Sequence, residues 1–128
     1  MKTKILLIED NEQNRYLATF LLEQGGHAVV HAPNGPAGLD RAGREDFDII
    51  LLDIQLPGMD GYAVARALRD IPGLAAVPII GVTSYAMAGD REKALAAGCS
   101  HYIEKPINPE TFVAEIMHHT RSARERKP

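Results

Sequence analysis

The chain is 128 residues long, 45% hydrophobic and 24% charged, with a formal net charge of −3 and a single cysteine, Cys99. That length fits one domain with a real core, and the mildly acidic balance argues against nucleic-acid or membrane-surface binding. One cysteine excludes an internal disulfide, and no apolar run approaches the roughly 20 residues that span a bilayer. The first apolar run, Ile5 to Ile8, is too short for a secretory signal, so a cytoplasmic protein is expected.

Taken in chain order, short apolar runs alternate with helical patterns. "KILLI" (4–8) reads as a strand. A helix is expected over 12–24, with Leu17, Phe20, Leu21 and Gln24 on one face and Gly25-Gly26 as its stop. "HAVVHA" (27–32) is the second strand, and Asn34-Gly35-Pro36 opens a second helix with Pro36 in its first turn. "DIILL" (48–52) follows, then a helix from about Tyr62 to Arg69 that Asp60 caps. "VPIIGVTS" (77–84) is the fourth strand, and a helix over roughly 88–97 closes at Gly98. "HYIEK" (101–105) is the fifth strand, and Asn108-Pro109 is expected to start a last helix that runs to about Arg121. The basic end "RSARERKP" (121–128) reads as a solvated tail, because cations are favoured at a helix C-terminus. Five strands alternating with five helices predict an α/β fold, a parallel sheet with helices on both faces.

Ligands of such sheets bind beyond the carboxyl ends of the strands. Those ends carry Glu9-Asp10, Asp53, Thr83-Ser84 and Lys105-Pro106. Each has an ordinary reading on its own. Asp10 with Gln13 makes a capping box, Thr83 suits a strand, and Lys105 suits a wet surface. Asp53 resists that treatment, because aspartate is a poor strand former and its turn residues come only afterwards. If the strands are neighbours, three carboxylates, a hydroxyl and an ammonium meet at one edge. Crowded carboxylates need a counter-cation. With no soft ligand nearby, the expectation is Mg²⁺ rather than zinc or copper. Beside a metal, an aspartate can act as a nucleophile and become an acyl phosphate. Lys105 and Thr83 can then hold phosphoryl oxygens, and the small Ser84 leaves room for the incoming group.

These motifs together, Glu9-Asp10, Asp53 with Leu56-Pro57-Gly58-Met59-Asp60-Gly61, Thr83-Ser84 and Lys105-Pro106, resemble the receiver domain of two-component response regulators. The likeness runs from Lys4 to about His119 and implies a flavodoxin-like, CheY-like fold of strand order 2-1-3-4-5. It implies a receiver domain over 1–121 and a tail over 122–128. Asp53 would accept phosphate from a histidine kinase or a histidine phosphotransfer protein. Glu9, Asp10, Asp53 and the backbone carbonyl of Gln55 would hold Mg²⁺. The Lys105-Pro106 peptide would be cis, and Thr83 and Tyr102 would switch the surface of the fourth helix, fifth strand and fifth helix. Gln55 and Tyr85, two residues beyond Asp53 and Thr83, would tune the phosphate lifetime.

Within the family, "EDNEQNRYL", "LLDIQLPGMDGY" and "GCSHYIEKPI" look most like stand-alone regulators of the DivK group and receivers of hybrid kinases. Output is then expected through a downstream protein, with a phosphorylation-dependent homodimer left open and no direct contact with nucleic acid or membrane. Met1 just before the first strand favours an independent protein over one cut from a hybrid kinase. A non-phosphorylated scaffold would not need all five central groups. A haloacid-dehalogenase-type phosphatase would need an acid at position 55, where Gln55 stands, so no enzyme acting on outside substrates is expected. Gly38 is expected to cost its helix about 1 kcal/mol relative to alanine, and Gly81 to leave the fourth strand without a packing side chain. All five histidines read as structural, and Cys99 as a small buried residue.

Overall fold

The computed structural model describes residues 3–55, 60–83 and 89–125, with side chains as far as Thr120. Leu56 to Met59, Ser84, Tyr85 and residues 126–128 lie outside the described residues. Among those described, β1 (Lys4–Ile8), β2 (Ala28–Ala32), β3 (Ile49–Asp53), β4 (Ile79–Thr83) and β5 (His101–Glu104) alternate with five helices. These are α1 (Glu12–Gln24), α2 (Gly35–Arg44), α3 (Gly61–Asp70), α4 (Asp90–Ala97) and α5 (Phe112–Glu125). All strand pairs are parallel, in the order β2-β1-β3-β4-β5.

The two-residue alternation of a strand explains how one apolar run serves two layers. Leu6, Ile8, Ile50 and Leu52 pack with Val64 and Leu68 of α3 and Ala94 of α4. Their chain neighbours Ile5, Leu7, Ile49 and Leu51 face the other way, onto Leu22 of α1 and Phe112 and Ile116 of α5. Buried on both faces, β3 has no polar residue until it reaches Asp53. That is why a run of four aliphatic residues can end in an acid at the rim of the sheet.

Helix starts follow the expected chemistry at two places. The Asn34 side chain accepts from Ala37 N at 2.8 Å, and that of Asp60 accepts from Tyr62 N at 3.0 Å. Elsewhere the structure corrects the sequence reading. The cap of α1 is Asn11, which accepts from Asn14 N at 2.9 Å, so Asp10 is not used for capping. The buried face of α1 is Ala18, Leu21 and Leu22; Phe20 is half exposed and Gln24 lies at the surface. Asn108 caps a turn rather than α5 itself, accepting from Glu110 N, and the helix begins at Phe112. It continues past Arg121 to Glu125, in a segment without glycine or proline to stop it.

Gly38 also has a reason. A Cβ there would lie 2.5 Å from Cδ1 of Ile8, so the glycine lets α2 settle on β1. The space beside Gly81 is likewise filled, by Ile54 and Cys99.

Candidate functional site

The strand ends supply the site. Glu9 follows β1 and is anchored by its backbone: its N–H donates to Ala32 O at 3.1 Å, and its carbonyl accepts from His31 Nε2 at 2.8 Å. Asp53 closes β3 in register with Val82, and Ile54 N donates to Val82 O at 2.9 Å. Thr83 closes β4, and Lys105 follows β5, its N–H donating to Thr83 O at 2.7 Å. The Lys105–Pro106 peptide is cis.

These anchors bring Glu9, Asp10 and Asp53 together, with one carboxylate oxygen of each within 4.8 Å of the others. Glu9 and Asp53 are buried and Asp10 is exposed, which makes Asp10 the open side of the cluster. Lys105 reaches in from β5. Its Nζ lies 3.0 Å from Glu9 Oε1 and 3.5 Å from Asp53 Oδ2, and its side chain is only 9% exposed. The solvated-lysine reading is therefore excluded.

Charge crowding shows in Glu9. Burial, and then the hydrogen bond and charge of Asp53, push its carboxyl up from 4.5 to about 7, although Lys105 pulls the other way. One ammonium does not neutralise three clustered carboxylates, two of them buried. Every clustered donor is a carboxylate oxygen, the donor type that suits a hard divalent ion.

The described residues just after Asp53 and at the start of α3 are tied to one another. Gln55 N donates to Asp53 Oδ1 at 3.0 Å, and Gly61 N donates to Ile54 O at 3.1 Å. A Cβ on Gly61 would stand 2.4 Å from that same carbonyl oxygen, so only glycine permits this approach. Thr83 is buried, and its Oγ1 accepts from Gln55 Nε2. Tyr102 is half buried against the layer formed by α2, α3 and α4. Its hydroxyl is raised by burial and by Asp90, while a hydrogen bond with Thr83 offsets part of that rise.

Of the site residues anticipated from the sequence, Glu9, Asp10, Asp53 and Lys105 lie together and Gln55 links Asp53 to Thr83, while Ser84 and Tyr85 lie outside the described residues. Two participants were not anticipated: the His31 ring under Glu9, and the Gln55 carboxamide on Thr83. Neither has a local sequence signal. Both follow from strand register, which sets His31 opposite Leu7 and Asp53 opposite Val82.

A parallel sheet in this order, with acids and a lysine at its carboxyl edge, is the arrangement of a receiver domain. The chain belongs to the response regulator receiver domain family, whose profile matches residues 5–117. It is 40% identical over 116 residues to the polar-differentiation response regulator DivK of Brucella anthropi, covering 91% of this chain and 94% of DivK. Its structure resembles a CheY-like receiver domain protein of Methanospirillum hungatei, with TM-score 0.89 and 27% identity over 99% of this chain and all of the other. It also resembles the receiver domain of a sensor histidine kinase of Pseudomonas aeruginosa, with TM-score 0.86, 33% identity, and coverage of 94% and 99%. That receiver was crystallised with a magnesium ion coordinated in its active-site cleft. Among the described residues here, no helix is long and apolar enough to cross a membrane.

Proposed function

We propose that this chain is a DivK-like response regulator that accepts a phosphoryl group on Asp53 from a phosphohistidine of a sensor kinase or phosphotransfer protein. The observation that carries the reading is the convergence of Glu9, Asp10, Asp53 and Lys105 at one sheet edge, with Asp53 at the end of a rigid, buried strand.

The donor set fits Mg²⁺, since it is all oxygen and carries more negative charge than Lys105 balances. Glu9, Asp10, Asp53 and the Gln55 carbonyl would hold the ion, directly or through water. When bound, it neutralises charge on the carboxylates and on the phosphoryl oxygens. A carboxylate oxygen of Asp53 attacks phosphorus, the phosphorus–nitrogen bond of the donor breaks, and the imidazole leaves with a proton. Lys105, already 3.5 Å from Asp53, turns its ammonium to a phosphoryl oxygen. The Thr83 hydroxyl donates to another. Gln55 and Tyr85, two residues beyond Asp53 and Thr83 in the sequence, set how long the acyl phosphate lasts.

The donor brings the activated group, and this chain catalyses only its own phosphorylation and dephosphorylation. Phosphorylation shifts an existing equilibrium, and a target protein binds one state better. Thr83 and Tyr102 carry that shift to the α4–β5–α5 surface, where Leu95 is already exposed. The work is cytoplasmic, and the receiver spans 1–121, with α5 running on to Glu125 in the basic stretch that follows. A receiver module of a hybrid kinase is the second reading, favoured by the likeness to the Pseudomonas kinase receiver.

The test is transfer from a phosphorylated histidine phosphotransfer protein carrying a radioactive phosphoryl group. Label should move to the wild-type chain in Mg²⁺ and not to Asp53→Asn. Label retained by the donor across a panel of such proteins would count against the reading.

A further inference from the structure

Gln55 faces the site in two ways at once. Its backbone N–H donates to Asp53 Oδ1 at 3.0 Å, and its side chain reaches across to β4, where Nε2 donates to Thr83 Oγ1 at 2.5 Å. Thr83 is 2% exposed, so little water competes for its hydroxyl. Tyr102 also acts on this threonine, a hydrogen bond with Thr83 offsetting part of the rise that burial gives the phenol. A hydroxyl has one proton to give and two lone pairs to offer. In the unphosphorylated chain Gln55, beyond the end of β3, thus bears directly on where that hydroxyl lies.

We propose that Gln55 is a positioning residue for Thr83: its carboxamide holds the hydroxyl oxygen in the unphosphorylated arrangement, and Thr83 moves away from it in turning to a phosphoryl oxygen. This rests on the phosphoacceptor reading of Asp53, and it differs from a role for Gln55 in steering water. A water-steering residue acts on the decay of the acyl phosphate whether or not Thr83 has a hydroxyl. A latch acts only through that hydroxyl, and it acts on the equilibrium before any water attacks. Because ligand affinity falls with the fraction of protein held in the wrong state, releasing the latch tightens binding of a phosphoryl mimic.

The experiment is a double-mutant cycle read by titration calorimetry with beryllofluoride and Mg²⁺, the probe standing for the phosphoryl group. Gln55→Met keeps length and removes the donor; Thr83→Val keeps shape and removes the hydroxyl. Gln55 is only partly buried, and thermal melts confirm that each variant folds. In the wild-type background Gln55→Met should tighten binding by about fivefold, the worth of one neutral hydrogen bond. In the Thr83→Val background it should change nothing. The Thr83 methyl resonance of the free protein should also move in Gln55→Met. Equal changes in both backgrounds, no change in either, or weaker binding would overturn the latch while leaving the phosphoacceptor reading intact. Failure of the wild-type chain to bind beryllofluoride in Mg²⁺ would sink that reading, and the latch with it.

Discussion

Two lysine–glutamate clusters sit at opposite ends of this parallel sheet. At the amino end, Lys4 Nζ lies 2.9 Å from Glu45 Oε1, and Arg41 Nη1 lies 2.6 Å from Glu45 Oε2. At the carboxyl end, Lys105 Nζ lies 3.0 Å from Glu9 Oε1. The distances are alike, yet the carboxyl groups respond oppositely. Hydrogen bonds from Lys4 and Arg41 hold Glu45 below the usual range, whereas burial and Asp53 lift Glu9 to about 7. Two cations serve one partly wet acid at the first end; at the second, one cation serves a crowd of acids. The first cluster is surface trimming. The second keeps an unbalanced charge, as a site awaiting a cation and a phosphoryl group would.

The contrast can be broken most sharply at the lysines. Lys105→Met leaves Glu9 and Asp53 facing each other without their cation, and should cost roughly 3 kcal/mol or more at pH 8 by urea denaturation. Part of that loss should return at pH 5, where Glu9 takes up a proton, and part should return on adding Mg²⁺. Next comes Gly61→Ala, whose methyl would press on the Ile54 carbonyl. It should destabilise by about 1–3 kcal/mol and slow phosphorylation, because the loop that presents Asp53 is displaced.

The two glutamates should also give opposite pH slopes. Glu9 binds protons more tightly in the folded metal-free chain than in the unfolded one. Its contribution therefore favours folding below pH 4.5 and is lost as pH rises to about 7. Glu45 runs the other way, favouring folding above pH 4.5 and losing that as pH falls. Melting temperatures of Glu9→Gln and Glu45→Gln across that range should each remove one slope. A Glu9→Gln profile parallel to wild type would end the claim that burial governs Glu9. The smallest effect is expected for Lys4→Met, within about 1 kcal/mol at ordinary salt; a loss matching that of Lys105→Met would erase the comparison.

Much of this was legible in the sequence, for reasons that can be named. The strands are short aliphatic runs, Asn34 and Asp60 cap the helices they precede, and the acids and the lysine lie where strands end. What stayed hidden depends on three-dimensional contact. Counting Phe20 and Gln24 as inward on α1 failed because small Ala18 and neighbouring Leu22 carry that face instead. The ordinary capping reading of Asp10 falls away because Asn11, one residue on, does that work and leaves the acid to the site. Gly38 looked like a helix weakness until Ile8 was seen beneath it. Arg69 gives no hint in its own helix of reaching Gly98 O, Leu74 O and Val77 O, which ties α3 to the end of α4 and the approach to β4. Gln55 was noticed only for its position after Asp53, and its bond to Thr83 crosses from one strand to the next.

The central claim is that Asp53 is a Mg²⁺-dependent phosphoacceptor, and intact-mass spectrometry after incubation with acetyl phosphate tests it most directly. A single phosphoryl adduct that requires Mg²⁺ and vanishes in Asp53→Asn is the predicted result. An adduct that survives in Asp53→Asn, or no adduct under any condition, would contradict it.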